Sequence, residues 1–287
     1  MKLCDLHTHS VFSDGTWTPA QLIDEAERIG LSAIALTDHN TVAGLPDFLA
    51  AAEGRGVEAV PGVEFSTDYG DKDVHILGLF IRPRYYDVIT QTLADAQRRK
   101  DESNRELIEN LNRAGYALDY ESIRASTPNG QVNRAHIAGE LTRLGYTESN
   151  QVAFQTLLTP ERGFYHPPKR MTSFEAIAFI KSLRAVAVLA HPLLTMSTEG
   201  LRVFLEQAVP CGLDGMETIY STYDEQTTRI AVQMADEFGL KHSGGSDFHG
   251  SRKPDISLGT GRGNLSVSDE LLAGLKKCRA GEENGGV

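Results

Sequence analysis

Besides His242, six of the nine histidines in this 287-residue chain lie in, at the end of, or just beyond segments short enough to be β-strands. His7 and His9 follow Lys2–Leu6, and His39 follows Ser32–Thr37. His75 sits in Asp73–Ile81, His191 follows Ala185–Ala190, and His249 follows Lys241–Gly244. Asp14, Asp38, Glu64 and Asp247 fall along the same strand ends. In His7-Thr8-His9 the imidazoles stand at i and i+2, on one face of an extended segment and ~6.6 Å apart along it, so both can turn to one cation. Asp247-Phe248-His249 repeats that spacing with one oxygen and one nitrogen donor. Asp14 stands on a tight turn, Ser13-Asp14-Gly15, where the glycine lets the backbone come close. Mixed imidazole and carboxylate donors suit zinc, manganese or iron better than calcium or magnesium. Each piece alone has a plainer explanation: Asp38-His39 could be an exposed turn, Glu64 a carboxylate paired with an arginine, and His75 a hydrogen-bonded core residue. Their recurrence at successive strand ends points instead to a metal centre on one rim of an α/β fold, where loops gather ligands and catalytic groups.

The elements that must position these residues alternate. After the first strand, Thr18 and Pro19 stand as cap and first position of a helix over 18–29. A second helix is predicted over 42–55, a third strand over 57–65, and Tyr69-Gly70-Asp71 makes the turn before the fourth strand. Alternation at this pitch implies a parallel sheet or barrel. The middle differs: one long charged helix over 85–113 and helical pieces at 132–144 and 148–158, with no strand signal between them. Residues 85–164 therefore read as a helical insertion between two barrel segments, 1–84 and 165–287. Strand–helix alternation resumes from Ser173, and the Gly-rich tail 281–287 is expected to fray.

Composition sets the class. Hydrophobic residues make up 40% of the chain, enough for a core. Lys and Arg number 28 against 39 Asp and Glu, a net charge of 28 − 39 = −11. That balance disfavours a broad grip on long nucleic acid but not a small phosphorylated substrate. No stretch approaches the ~18–20 apolar residues of a membrane span. The first ten residues lack the apolar core of a secretion signal, and Cys4, Cys211 and Cys278 are isolated, so a cytoplasmic protein with reduced thiols is expected.

The motifs Asp5-Leu-His7-Thr-His9-Ser10 with Ser13-Asp-Gly15, Thr37-Asp-His39, Gly62-Val-Glu64, His75-Ile-Leu77-Gly78, Ala190-His-Pro192 and Gly245-Ser-Asp247-Phe-His249 resemble those of the polymerase and histidinol phosphatase (PHP) family. All nine ligand positions of the family pattern carry the expected residue type. The resemblance implies a distorted seven-stranded (β/α) barrel with three divalent transition-metal ions (manganese, iron or zinc) at its C-terminal mouth. It implies His7, His9, Glu64 and Asp247 on the first ion and Asp14, His39 and His249 on the second. His75 and His191 fall to the third, with Glu64 bridging. A hydroxide bridging the metals beside Glu64 and Asp247 is the expected nucleophile. The chain looks closest to small stand-alone phosphoesterases of the family: nucleoside 3′,5′-bisphosphate phosphatases, cyclic-phosphate hydrolases and a 5′→3′ exoribonuclease.

Charge arithmetic favours the same chemistry. Three divalent ions bring about +6 and three carboxylates return about −3, so an acidic protein holds a local anion trap of about +3. Metal coordination brings the pKa of water from 15.7 towards ~7, and two ions can clamp the phosphoryl oxygens during in-line attack. A second phosphate on a nucleotide-like substrate needs its own clamp. Arg134-Ala-His136, opening a helix after Pro128-Asn-Gly130, suits that task, and the resemblance points to an Arg-x-His element of this kind in substrate binding. Arg162, His166, Lys169 and Arg170 could add contacts. Gly259-Thr-Gly-Arg-Gly263 lacks the lysine and setting of a phosphate loop, and His242 reads as structural. The leading expectation is hydrolysis of the 3′-phosphate of nucleoside 3′,5′-bisphosphates. Alternatives are opening of a five-membered cyclic phosphate, 5′→3′ RNA degradation, histidinol-phosphate hydrolysis and a non-catalytic phosphate sensor.

Overall fold

Thr18 and Gln21 cap the first helix reciprocally, each side chain bonding the other's backbone N–H, with Pro19 at the first helical position. The computed structural model describes residues 2–127, 132–168 and 170–279. Lys169, Pro128-Asn129-Gly130 and the tail lie outside the described residues.

The chain forms two compact units, one of Met1–Thr90 with Met171–Val287 and one of Gln91–Arg170. The first holds a seven-stranded sheet: β1 (Cys4–Asp5), β2 (Ala33–Leu36), β3 (Glu58–Tyr69), β4 (Lys72–Leu79), β5 (Val186–Leu189), β6 (Gly215–Tyr220) and β7 (Lys241–Gly245). Neighbours in space follow chain order. The sheet curls until β7 meets β1, where Leu6 N–H donates to Gly244 O at 3.2 Å and Thr8 bridges Phe248. Gly245 permits that closure, since a Cβ there would lie 2.4 Å from Cβ of His7. Inside, Ala33 and Ala35, Leu77 and Leu79, and Val186 and Val188 share the core. Each pair is two residues apart on one strand and so points the same way.

A purely parallel barrel is not what forms. β3 and β4 pair antiparallel, as do β4 and β5, while the other pairs are parallel. The cause is local. Only Gly70 and Asp71 separate the two strands, Gly70 at φ +62, and so short a link reverses the chain where a parallel crossover needs a dozen residues or more. The strand before that turn therefore runs on to Tyr69, beyond its expected end at 65.

Around the sheet lie α1 (Pro19–Arg28), α2 (Leu45–Ala52) and, after four helices that come between in the chain, α7 (Ser173–Ser182), α8 (Thr198–Ala208), α9 (Glu225–Glu237) and α10 (Asp269–Lys276). The last escapes the periodicity expectations. It starts behind Ser268, whose side chain accepts from Glu270 N, and buries Leu272 and Leu275 in the barrel core.

In the second unit, α3 (Tyr86–Arg113) continues into the unit from residue 91, with α4 (Tyr120–Ser126), α5 (Arg134–Arg143) and α6 (Asn150–Thr156). They enclose a core of their own that includes Leu107, Leu111, Val132, Ile137, Leu141 and Leu158.

Candidate metal centre

All nine candidate ligands belong to the barrel unit, and strand geometry gathers them. His7 and His9 leave the end of β1, and His39 follows β2 and bridges Glu64 on β3. His75 reaches the same rim from the opposite direction. On antiparallel β4 it stands one residue before Ile76, the partner of Leu189 at the end of β5, and its carbonyl accepts from Ala190 N–H at 3.0 Å. His191 follows β5, and Asp247 and His249 follow β7. Asp14 arrives on the turn after His9, where a Cβ on Gly15 would lie 2.3 Å from the His9 carbonyl oxygen.

Glu64 is the hub. Its Oε2 lies 3.1 Å from Nε2 of His7, 3.1 Å from Nε2 of His9 and 3.1 Å from Nδ1 of His39. Its Oε1 lies 2.8 Å from Nδ1 of His75 and 3.2 Å from Nε2 of His191. Oδ1 of Asp247 is 3.3 Å from Nε2 of His9, and Oδ1 of Asp14 is 3.1 Å from Nε2 of His249. Three overlapping groups have ligand atoms within 4.8 Å of one another: His7, His9 and Glu64; His9, Asp14, His39 and His249; and His39, Glu64 and His75.

Electrostatics follow from this crowding. Burial works against ionisation of Glu64 and Asp247, yet the surrounding imidazoles hold both carboxyls well below their usual range. Asp14 is likewise lowered, with burial opposing and His249 prevailing. Burial also disfavours protonated imidazole, but Asp247 and Glu64 bring His9 up to about 9, and Glu64 and Asp73 bring His75 up to about 10. At His39 burial wins, and its pKa falls to about 4.

The residues fit divalent metal. His39 Nδ1 is buried and makes no hydrogen bond, although Glu64 Oε2 is 3.1 Å away. Nε2 of His7 faces Nε2 of His9 at 3.1 Å, so two ring nitrogens compete for one space beside a carboxylate. Buried polar atoms in such arrangements need a partner, and a cation supplies one. Imidazole with carboxylate is the donor chemistry of zinc, manganese and iron.

The supporting roles of several residues were not legible in the sequence. Glu217 on β6 is fully buried, with Oε1 3.0 Å from Nδ1 of His7 and Oε2 accepting from His191 N–H at 2.7 Å. Tyr220 and Lys253 both donate to Oδ2 of Asp247. Asp38 accepts from the Ser10 amide and from the Ser10 and Ser13 hydroxyls, fixing the loop that carries Asp14. Asp5 accepts from the amides of Ser246 and Gly259, which makes the glycine-rich 259–263 stretch an anchor of β1. His191 and Asp247 adopt positive φ, +30 and +55, a strained region for non-glycine residues that clusters at functional sites.

The substrate-contact candidates lie in the other unit. Arg134 opens α5, donates to the Leu158 carbonyl at 3.2 Å and stacks over Tyr165, 4.3 Å from the ring centre. His136 completes a capping box with Asn133, its Nδ1 accepting from the Asn133 amide. Arg162 is exposed at the end of a 3-10 turn, and His166 pairs with Glu106 at 2.8 Å.

The curled seven-stranded sheet and its rim of imidazoles and carboxylates fit a metal centre, and the family and relatives that follow make the chain a metal-dependent phosphoester hydrolase. The model of the PHP domain matches residues 5–165, and this chain belongs to that family. It is 31% identical to a 5′-3′ exoribonuclease of Haemophilus influenzae, over 86% of this chain and 90% of the relative. It is also 31% identical to a 3′,5′-nucleoside bisphosphate phosphatase of Chromobacterium violaceum, over 87% and 88% of the two chains. A phosphoribosyl 1,2-cyclic phosphate 1,2-diphosphodiesterase of Eggerthella lenta matches at 31% over 88% of this chain and 97% of its own. A solved structure from Bifidobacterium adolescentis superposes with TM-score 0.71 at 27% identity, over 98% of each chain. Among the described residues no helix is long and apolar enough to cross a membrane.

Proposed function

We propose that this enzyme removes the 3′-phosphate of nucleoside 3′,5′-bisphosphates, using three divalent transition-metal ions at the barrel rim. The observation that carries the chemistry is the convergence of His7, His9, His39, His75 and His191 on the two oxygens of one buried carboxylate, Glu64. In this assignment His7, His9, Glu64 and Asp247 hold one ion, Asp14, His39 and His249 a second, and His75 and His191 a third, with Glu64 shared. When bound, such ions lower the pKa of coordinated water and polarise phosphoryl oxygens. The chain's own part is to aim its donors inward and withhold competing nucleophiles. The hydroxyls of Ser10 and Ser13, beside the site, are committed to Asp38.

The choice of a bisphosphate rests on the Chromobacterium relative and on the insertion. Arg134, His136, Arg162 and Lys169 are the residues proposed to hold the phosphate that is not cleaved. Stacking on Tyr165 restricts the Arg134 guanidinium, so less entropy is lost when it grips an anion bidentately. The Eggerthella relative supports a second substrate, a five-membered cyclic phosphate, and the Haemophilus relative a third, a short 5′ end of RNA. A net charge of −11 disfavours longer nucleic acid.

Product formation compared at equal enzyme tests the ranking: inorganic phosphate from a nucleoside 3′,5′-bisphosphate, ring-opened phosphomonoester from a ribose cyclic phosphate, and nucleoside 5′-monophosphate from a 5′-phosphorylated oligoribonucleotide. The bisphosphate should turn over with the highest kcat/KM. Preference for either other substrate would replace this proposal with the corresponding alternative.

A further inference from the structure

We infer that Glu217 is a positioning residue whose two carboxylate oxygens set two metal ligands at once, the ring of His7 and the backbone of His191. This rests on the metal assignment proposed above. Glu217 lies inside β6, fully buried, and its two oxygens are used separately. Oε1 stands 3.0 Å from Nδ1 of His7. A carboxylate there holds the proton on Nδ1, which leaves the Nε2 lone pair facing Glu64 and His9. Oε2 accepts the His191 amide at 2.7 Å.

His191 needs such a hold. It sits at φ +30, ψ +48, a conformation that costs a non-glycine residue of order 1–3 kcal/mol. A charge-assisted hydrogen bond from its amide helps to offset that cost and keeps Nε2 at 3.2 Å from Glu64 Oε1. His7 and His191 rings stack at 5.6 Å, so one carboxylate fixes two rings that meet different oxygens of Glu64.

The geometry makes a specific demand on the side chain. Two donors approach Glu217, one at each oxygen. A glutamine of the same size offers one acceptor oxygen and an NH2 group, so it can serve His7 or His191 but not both. Shape is retained while one hold is lost.

The test compares wild type with Glu217→Gln, each stripped by chelator and then titrated with Zn2+ against a chromophoric competitor. Bound metal is counted by elemental analysis after desalting. E217Q should bind Zn2+ about 10–100-fold more weakly and keep fewer ions per chain, with an unchanged far-UV spectrum and a cooperative unfolding transition in excess chelator. Wild-type affinity and stoichiometry in a folded E217Q would overturn the inference and leave the metal assignment standing. A wild-type chain that takes up no Zn2+ would overturn both. Should E217Q not fold, 15N NMR of the Zn2+-loaded wild type decides: the proton on Nδ1 of His7 is expected, and a proton on Nε2 overturns the role.

Discussion

The Tyr220 hydroxyl donates to Oδ2 of Asp247 at 2.6 Å, and Lys253 Nζ donates to the same oxygen at 2.7 Å. With Oδ2 occupied twice, Oδ1 is the oxygen turned toward Nε2 of His9. Burial and the neighbouring Asp247 carboxylate raise the Tyr220 pKa, so its phenol stays a donor across the working pH range. Tyr220→Phe removes a hydrogen bond to a charged group, a loss of about 1.5–3 kcal/mol. Metal affinity in the Zn2+ competition titration should fall about 10-fold or more with the fold intact. Unchanged affinity would show that Tyr220 does not orient Asp247.

His9→Ala and Asp247→Asn each remove a donor from the crowded centre of the site. Both should lower kcat/KM by at least about 10³-fold, equivalent to about 4 kcal/mol of transition-state stabilisation. Far-UV circular dichroism should remain that of wild type. Full activity in either folded variant would refute these positions as ligands.

Metal uptake should release protons. In the metal-free chain His9 and His75 have raised pKa values, about 9 and about 10, because carboxylates outweigh burial, so both carry a proton at pH 7. His39, lowered to about 4 by burial, is already neutral there. A ligand must be deprotonated to bind, so affinity should rise as pH increases towards about 10 and fall as pH drops below 7. Titration calorimetry in buffers of different ionisation enthalpy measures the release. Zero protons released at pH 7 would contradict the coupling.

Arg134→Met should separate the two phosphates of the substrate. KM for a nucleoside 3′,5′-bisphosphate should rise about 10–100-fold, with a much smaller change for a nucleoside 3′-monophosphate, which lacks the second anion. Equal effects on both substrates would make Arg134 a stabiliser of α5, through its bond to the Leu158 carbonyl, rather than a phosphate contact.

The side chains that converge at the rim were legible because their types are unusual where they stand. Histidine and carboxylate at the end of an apolar run have few structural reasons to be there, and the structure brings all nine into one site. Glu217 had no such mark. Within Gly215-Met-Glu-Thr-Ile-Tyr220 one acidic residue reads as an ordinary outward position of a strand, and its value appears only once β6 lies beside His7 and His191. Tyr220 and Lys253 were hidden for the same reason, their partner being 27 and 6 residues away. The reversal at Gly70-Asp71 was visible as a turn. Its consequence, that His75 reaches the rim from an antiparallel strand, required the register of β4 against β5. Helix α10 carried a capping serine but too short an apolar pattern to stand out.

Elemental analysis of the active protein, joined to an assay during chelation, bears most directly on the central claim. Stoichiometric transition metal should accompany activity. Chelator should abolish phosphate release, and Mn2+ or Zn2+ should restore it. Full turnover from protein with no transition metal, undisturbed by chelator, would contradict a metal-dependent mechanism at the Glu64 cluster.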